Sequence, residues 1–84
     1  MSYTQKQLEK VADCIISCAY SDSLVNIDKP VLMEQLRCDW EMAGRFPSRE
    51  ECNDMVTGGD TGECPEETRD KFPQTYDFIG TYWE

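Results

Sequence analysis

Apolar residues recur at helical spacing through the first half of the chain and predict two amphipathic helices. In the first, Leu8, Val11, Ala12, Ile15 and Ala19 share one stripe with Cys18 alongside, and Lys6, Lys10, Asp13 and Ser17 lie opposite. Thr4 and Gln7 stand in capping-box register at its start, and the pattern ends near Tyr20 or Ser21, about four turns on. The second and central helix lies within Asp28–Phe46, with Asp28 as N-cap, Pro30 in the first turn and Gly44 placed to end it in a left-handed cap. It carries two apolar stripes. Leu32, Leu36, Trp40 and Ala43 form one, with Met33 at its edge, and Val31, Cys38 and Met42 form another; Gln35 and Asp39 separate them on one flank and Glu34, Arg37 and Glu41 on the other. A helix with two such faces needs neighbours on two sides. The first helix is one neighbour, in a hairpin, and the C-terminal segment or another chain is the second. In the connection SDSLVNI, the apolar Leu24, Val25 and Ile27 are expected to tuck back partly onto the core.

The second half is more broken. Ser48 and Glu51 form another capping-box pair, opening a helix of two or three turns whose apolar edge is Cys52, Met55 and Val56. Thr57-Gly58-Gly59 is expected to stop it, leaving TGGDTGE as a flexible surface loop. Pro65 can open a short helix, PEETRDK, and Pro73 closes it. The tail holds Phe72, Tyr76, Phe78, Tyr82 and Trp83. Tyr76, Ile79 and Trp83 fit a helical stripe, whereas Tyr76, Phe78, Gly80 and Tyr82 alternate as in a strand, which the composition favours. A strand has only SLVNI to pair with, so the tail is read as irregular or helical, packed on the second stripe of the central helix. Phe72 and Phe78 are read as core, with Tyr82 and Trp83 exposed near the terminus. The fold class is mainly α: a small helical domain with an N-terminal helical hairpin, one or two short helices and an aromatic C-terminal segment.

Length and composition narrow the picture further. Residues 1–84 make a single domain, near the lower size for a self-supporting core. The start MSYTQKQLEK has no signal-peptide pattern, and five cysteines leave one over in any fully bridged scheme, so the thiols are read as reduced and the protein as cytoplasmic. No apolar run is long enough for a membrane span. The formal charge of −9 is concentrated in residues 48–84, which carry ten acidic and three basic residues. Such a surface repels nucleic acid and anionic membrane and attracts basic proteins or cations.

The chain contains no histidine, which removes the commonest general base and the usual partner of a nucleophilic serine or cysteine, so no enzyme and no catalytic residue is expected. Cys52 and Cys64 lie among carboxylates, which disfavour a thiolate, and Cys14, Cys18 and Cys38 fall on or beside apolar stripes. Cys14, Cys18, Cys52 and Cys64 match no zinc spacing, and NDMVTGGDTGE fails the calcium-loop pattern. No metal or cofactor is expected, and a zinc-stabilised small domain is kept as the third reading. Direct nucleic-acid binding is disfavoured by the sign of the charge.

The reverse follows from the same charge. Glu50, Glu51, Asp54, Asp60, Glu63, Glu66, Glu67 and Asp70 can line one acidic rim, and Tyr82 and Trp83 can anchor it as partner-binding residues. A row of carboxylates can occupy a site built for duplex DNA, which carries one negative charge per about 1.7 Å of axis. In composition, a small, acidic, histidine-free domain resembles the inhibitors that phages and mobile elements direct at nucleic-acid-handling machines, such as anti-CRISPR or anti-restriction proteins. That resemblance implies an inhibitor whose partner is a basic protein surface, of a nucleic-acid-binding protein or complex. The alternative is a helical regulatory module whose second apolar stripe pairs with another helix or with itself in a homodimer, without nucleic-acid mimicry.

Overall fold

The computed structural model describes residues 3–18, 27–61 and 64–82, with backbone alone for 59–61. Its elements are α1 (Gln5–Cys18), α2 (Lys29–Ala43), α3 (Arg49–Thr61), α4 (Glu66–Lys71) and α5 (Pro73–Gly80), with no strand among the described residues. Local chemistry sets most of the starts. At α1 the Gln7 N–H donates to Thr4 Oγ1 (3.1 Å) and the Thr4 N–H to Gln7 Oε1 (2.8 Å); at α3 the Glu51 N–H donates to Ser48 Oγ (3.2 Å) and the Ser48 N–H to Glu51 Oε1 (2.8 Å). At α2 the Asp28 carboxylate accepts from the Val31 N–H (3.3 Å), and Gly44 closes the helix at φ 74°, its N–H donating to the Trp40 carbonyl (2.8 Å). The end of the first stripe at Ala19, and the connection through Leu24 and Val25, lie outside the described residues.

Four helices form a ring in which α1 packs on α2, α2 on α5, α5 on α3 and α3 on α1, while α4 touches α2, α3 and α5. The core inside it contains Leu8, Ala12, Ile15, Ile27, Leu32, Leu36, Cys52, Met55, Val56, Cys64, Phe72 and Ile79. The expected stripe of α1 is therefore its buried face. Ile27 tucks inward as expected, and it stands with Leu32 in hydrophobic-staple register across the start of α2.

Two expectations are corrected. The second neighbour of α2 is the C-terminal segment, but α5 does not cover the stripe of Val31, Cys38 and Met42. Cys38 is exposed, and Val31 and Met42 are 39% and 65% exposed. The tail packs instead on the side of α2 that carries Asp39, which is fully buried. Asp39 Oδ1 accepts from the Gln74 N–H (3.2 Å) and Oδ2 from the Thr75 N–H (2.7 Å), so this carboxylate caps α5 from another helix. The residue before α5, Phe72, has no side-chain acceptor, and Pro73 has no N–H to satisfy. Helix wins over the strand-like composition because α5 receives its missing cap from α2. The Thr75 hydroxyl beside this joint is buried without a hydrogen-bond partner, which makes the two backbone bonds to Asp39 its polar anchorage.

The second correction concerns Thr57-Gly58-Gly59. These residues do not end α3, which continues to Thr61. A Cβ on Gly58 would lie 2.3 Å from Cys64 Cβ, so the glycine is where the chain entering α4 presses against α3. The weak helix propensity of glycine, about 1 kcal/mol against alanine, is outweighed by that close approach.

Asp39→Ala is expected to lower stability by about 2 kcal/mol, since it strands the buried Thr75 N–H and the part-buried Gln74 N–H, and Asp39→Asn, which keeps one acceptor, by less. Urea unfolding of the two variants checks this order. Gly58→Ala should destabilise by about 1–3 kcal/mol in the same assay, because the clash with Cys64 exceeds the gain in helix propensity; a more stable variant would show that the contact yields freely.

Candidate partner-binding surface

The acidic residues singled out by sequence divide according to their local roles. The capping box directs Glu51 toward the α2–α3 corner, where Arg45 grips it with two bonds, Nη1 to Oε1 (2.6 Å) and Nη2 to Oε2 (2.8 Å). The Arg45 hydrogen bond, helped by the Ser48 N–H and opposed by burial, lowers the Glu51 carboxyl to a pKa of about 2. The same guanidinium donates to the Phe46 carbonyl (3.1 Å) and lies 5.2 Å from the centre of the Phe72 ring. Glu51 is thus a structural carboxylate at a polar joint.

Glu50 and Asp54 follow the exposed side of α3 one turn apart. Glu50 is exposed and borders the groove between α1 and α3. Asp54 is half-buried and sits close enough to Cys64 for its charge to raise that thiol's pKa, after burial, the larger cause. Cys64 leads directly into α4, whose first turn exposes Glu66 and Glu67, with Asp70 one turn further on. The structure therefore brings Asp54 to the corner where α4 begins. Arg69 reaches the same corner, and its charge acts on Cys64 in the opposite sense. The Asp60 side chain, Glu63 and Trp83 lie outside the described residues.

Tyr82 has an internal role rather than that of an exposed anchor. It is half-buried, its hydroxyl accepts from the Asp28 N–H (3.1 Å), and its ring meets Phe78 edge-on at 5.3 Å. The end of the described chain is thereby tied to the start of α2. A second aromatic group, Tyr3, Trp40 and Phe46, closes the other end of α2, with Tyr3 edge-on to both partners at 4.9 and 5.1 Å. Sequence reasoning placed Trp40 on a stripe but had no signal for Tyr3 and Phe46, because their contact joins segments more than forty residues apart.

The remaining ion pairs lie away from α4. Lys29 pairs with Asp13 at 2.8 Å between α2 and α1, and Arg37 pairs with Glu34 within α2. Among the described residues Glu50, Asp54, Glu66, Glu67 and Asp70 make no ion pair, so the surplus negative charge of the second half faces solvent along α3 and α4. No set of three or more Cys, Asp or Glu side chains among the described residues is arranged to enclose a metal ion, and Cys64 packs by Gly58 rather than joining Cys14 and Cys18. No helix among them is long and apolar enough to cross a membrane. No protein-family model, curated protein or solved structure matches the chain, so this surface carries the functional reading.

The Glu51 joint predicts a specific acid response. Its folded pKa lies below the ordinary carboxylate value of 4.5, so its stabilisation is fully present above about pH 4.5 and is lost as pH falls toward 2. For an ion pair at the surface this amounts to about 1 kcal/mol. Glu51→Gln should lower stability by that amount at pH 7 and flatten the curve between pH 4.5 and 2, as measured by urea unfolding across that range.

Proposed function

We propose that this chain is a protein-binding inhibitor that sets the acidic face of α3 and α4 against a basic surface of a nucleic-acid-handling protein, where DNA or RNA would otherwise lie. The observation that carries the reading is the set of unpaired carboxylates at Glu50, Asp54, Glu66, Glu67 and Asp70, on two helices that meet at Cys64. Acids that pair, namely Asp13, Glu34 and Glu51, do so on α1, α2 and the α2–α3 corner. Fixed carboxylates on packed helices speed and orient encounter with a cationic partner, and carry the salt dependence of a charge-directed complex. With Tyr82 turned to internal use, the charges carry more of this reading than the aromatic residues do.

A second reading is favoured by the uncovered stripe of α2. Val31, Cys38 and Met42 are exposed on one helix face, which suits a module that binds a second helix or its own copy. The two readings differ in their response to salt.

The test is capture from a cell lysate on the tagged protein at low and at raised salt, with duplex DNA as competitor. The expected partner handles nucleic acid, is released by salt and by DNA, and is lost at least tenfold on Glu66→Lys/Glu67→Lys/Asp70→Lys while the thermal midpoint is unchanged. Affinity indifferent to that triple reversal overturns the inhibitor reading. A salt-insensitive dimer by light scattering, dispersed by Val31→Ser/Met42→Ser, would establish the second reading in its place.

A further inference from the structure

Among the described residues the large apolar side chains left exposed are Val31 and Met42, and both lie on the same stripe of α2, with the exposed Cys38 between them. Together with the half-buried Gln35 they follow the order Val31, Gln35, Cys38, Met42, spaced four, three and four residues apart. This is the alternation that keeps a coiled-coil seam on one face of a helix. The seam is about 16 Å long and stops short of Gly44, where the chain turns away.

One flank of the seam is acidic. Glu34 and Glu41, seven residues apart, run along it, and both are exposed. Beyond Glu34 lies an open groove of about 520 Å³ between α1 and α2, which Glu9 and Arg37 also line. Arg37 is already held by Glu34, so Glu9 and Glu41 are left without an ion pair. On the other flank Asp39 is buried and engaged with α5.

We propose that the occupant of this face is a basic amphipathic helix of a partner protein. Its apolar seam lies on Val31, Cys38 and Met42, and its lysines or arginines meet Glu41, Glu34 and Glu9; this rests on the second reading above, in which the stripe of α2 is a helix-binding face. Charge selects such a helix over a second copy of this chain. Two copies of α2 laid antiparallel, with Val31 on Met42, bring Glu34 of one beside Glu41 of the other, a like-charge pair. Nor does α2 with its C-terminal turn carry a spare cation for a copy of itself: Lys29 is held by Asp13, Arg37 by Glu34 and Arg45 by Glu51. A long basic side chain of a partner reaches the acidic flank with its charged end and covers apolar surface with its stem. Gln35, polar and inside the seam, favours a polar mate and so fixes the register of the docked helix.

Two synthetic amphipathic helical peptides with the same leucine seam serve as probes, one carrying lysine on both flanks of the seam and the other glutamate. Binding to the full chain is measured by fluorescence anisotropy in about 0.15 M salt, which screens long-range attraction to the net charge of the protein. The lysine peptide is expected to bind more tightly than the glutamate peptide by about fivefold or more. Val31→Ser/Met42→Ser should weaken it by about tenfold. Glu34→Lys/Glu41→Lys should reverse the preference, and Glu66→Lys/Glu67→Lys/Asp70→Lys on α4 should leave it unchanged, each at an unaltered thermal midpoint. Equal affinity for the two peptides, or loss of binding on the α4 reversal, overturns the proposal. A dimer by light scattering that Val31→Ser/Met42→Ser disperses, with no peptide bound, overturns it while leaving α2 a helix-binding face; neither a dimer nor a bound peptide overturns both.

Discussion

The buried carboxylate of Asp39 is the interaction on which the C-terminal third of the fold depends. A helix of eight residues gains too little from its own hydrogen bonds to persist in water, and α5 begins without a side-chain cap of its own. Asp39 supplies two acceptors to its first free N–H groups, and in return those donors make it tolerable to bury a charge on α2. Once α5 is seated, Ile79 enters the core, Phe78 meets Tyr82, and Tyr82 reaches back to the first turn of α2. The ring α1–α2–α5–α3 closes only because this last helix is held.

A second polar joint stands at the α2–α3 corner. Gly44 lets the chain turn, Arg45 binds Glu51 and the Phe46 carbonyl, and the flat guanidinium covers the Phe72 ring. One residue thus connects the cap of α3 to the aromatic side chain between α4 and α5. These two joints bear on function through orientation. They hold α3 and α4 against the rest of the ring while leaving their unpaired carboxylates outside it, and a charged face fixed on packed helices can be complementary to a partner in a way that a mobile acidic tail cannot.

The sequence by itself determined the helical class, the three side-chain caps at Thr4, Asp28 and Ser48, the left-handed stop at Gly44, the buried faces of α1 and α3, and the concentration of acid in the second half. All of these follow from spacing of three or four residues, where neighbours in sequence are neighbours in space. Of the expected rim it rightly placed Glu50, Glu66, Glu67 and Asp70 on exposed helix positions, since polar positions on a periodic pattern face water. Only the tertiary structure decided that Asp39 is a buried cap rather than a polar separator, that Gly58 is a contact rather than a stop, and that Glu51 and Tyr82 are used internally. It also decided that the tail is a helix and that Val31, Cys38 and Met42 stay uncovered. The physical reason is the same for each. The Asp39, Gly58 and Tyr82 contacts join residues that no local period relates, and a polar or small side chain shows its role only when the group that it meets has arrived.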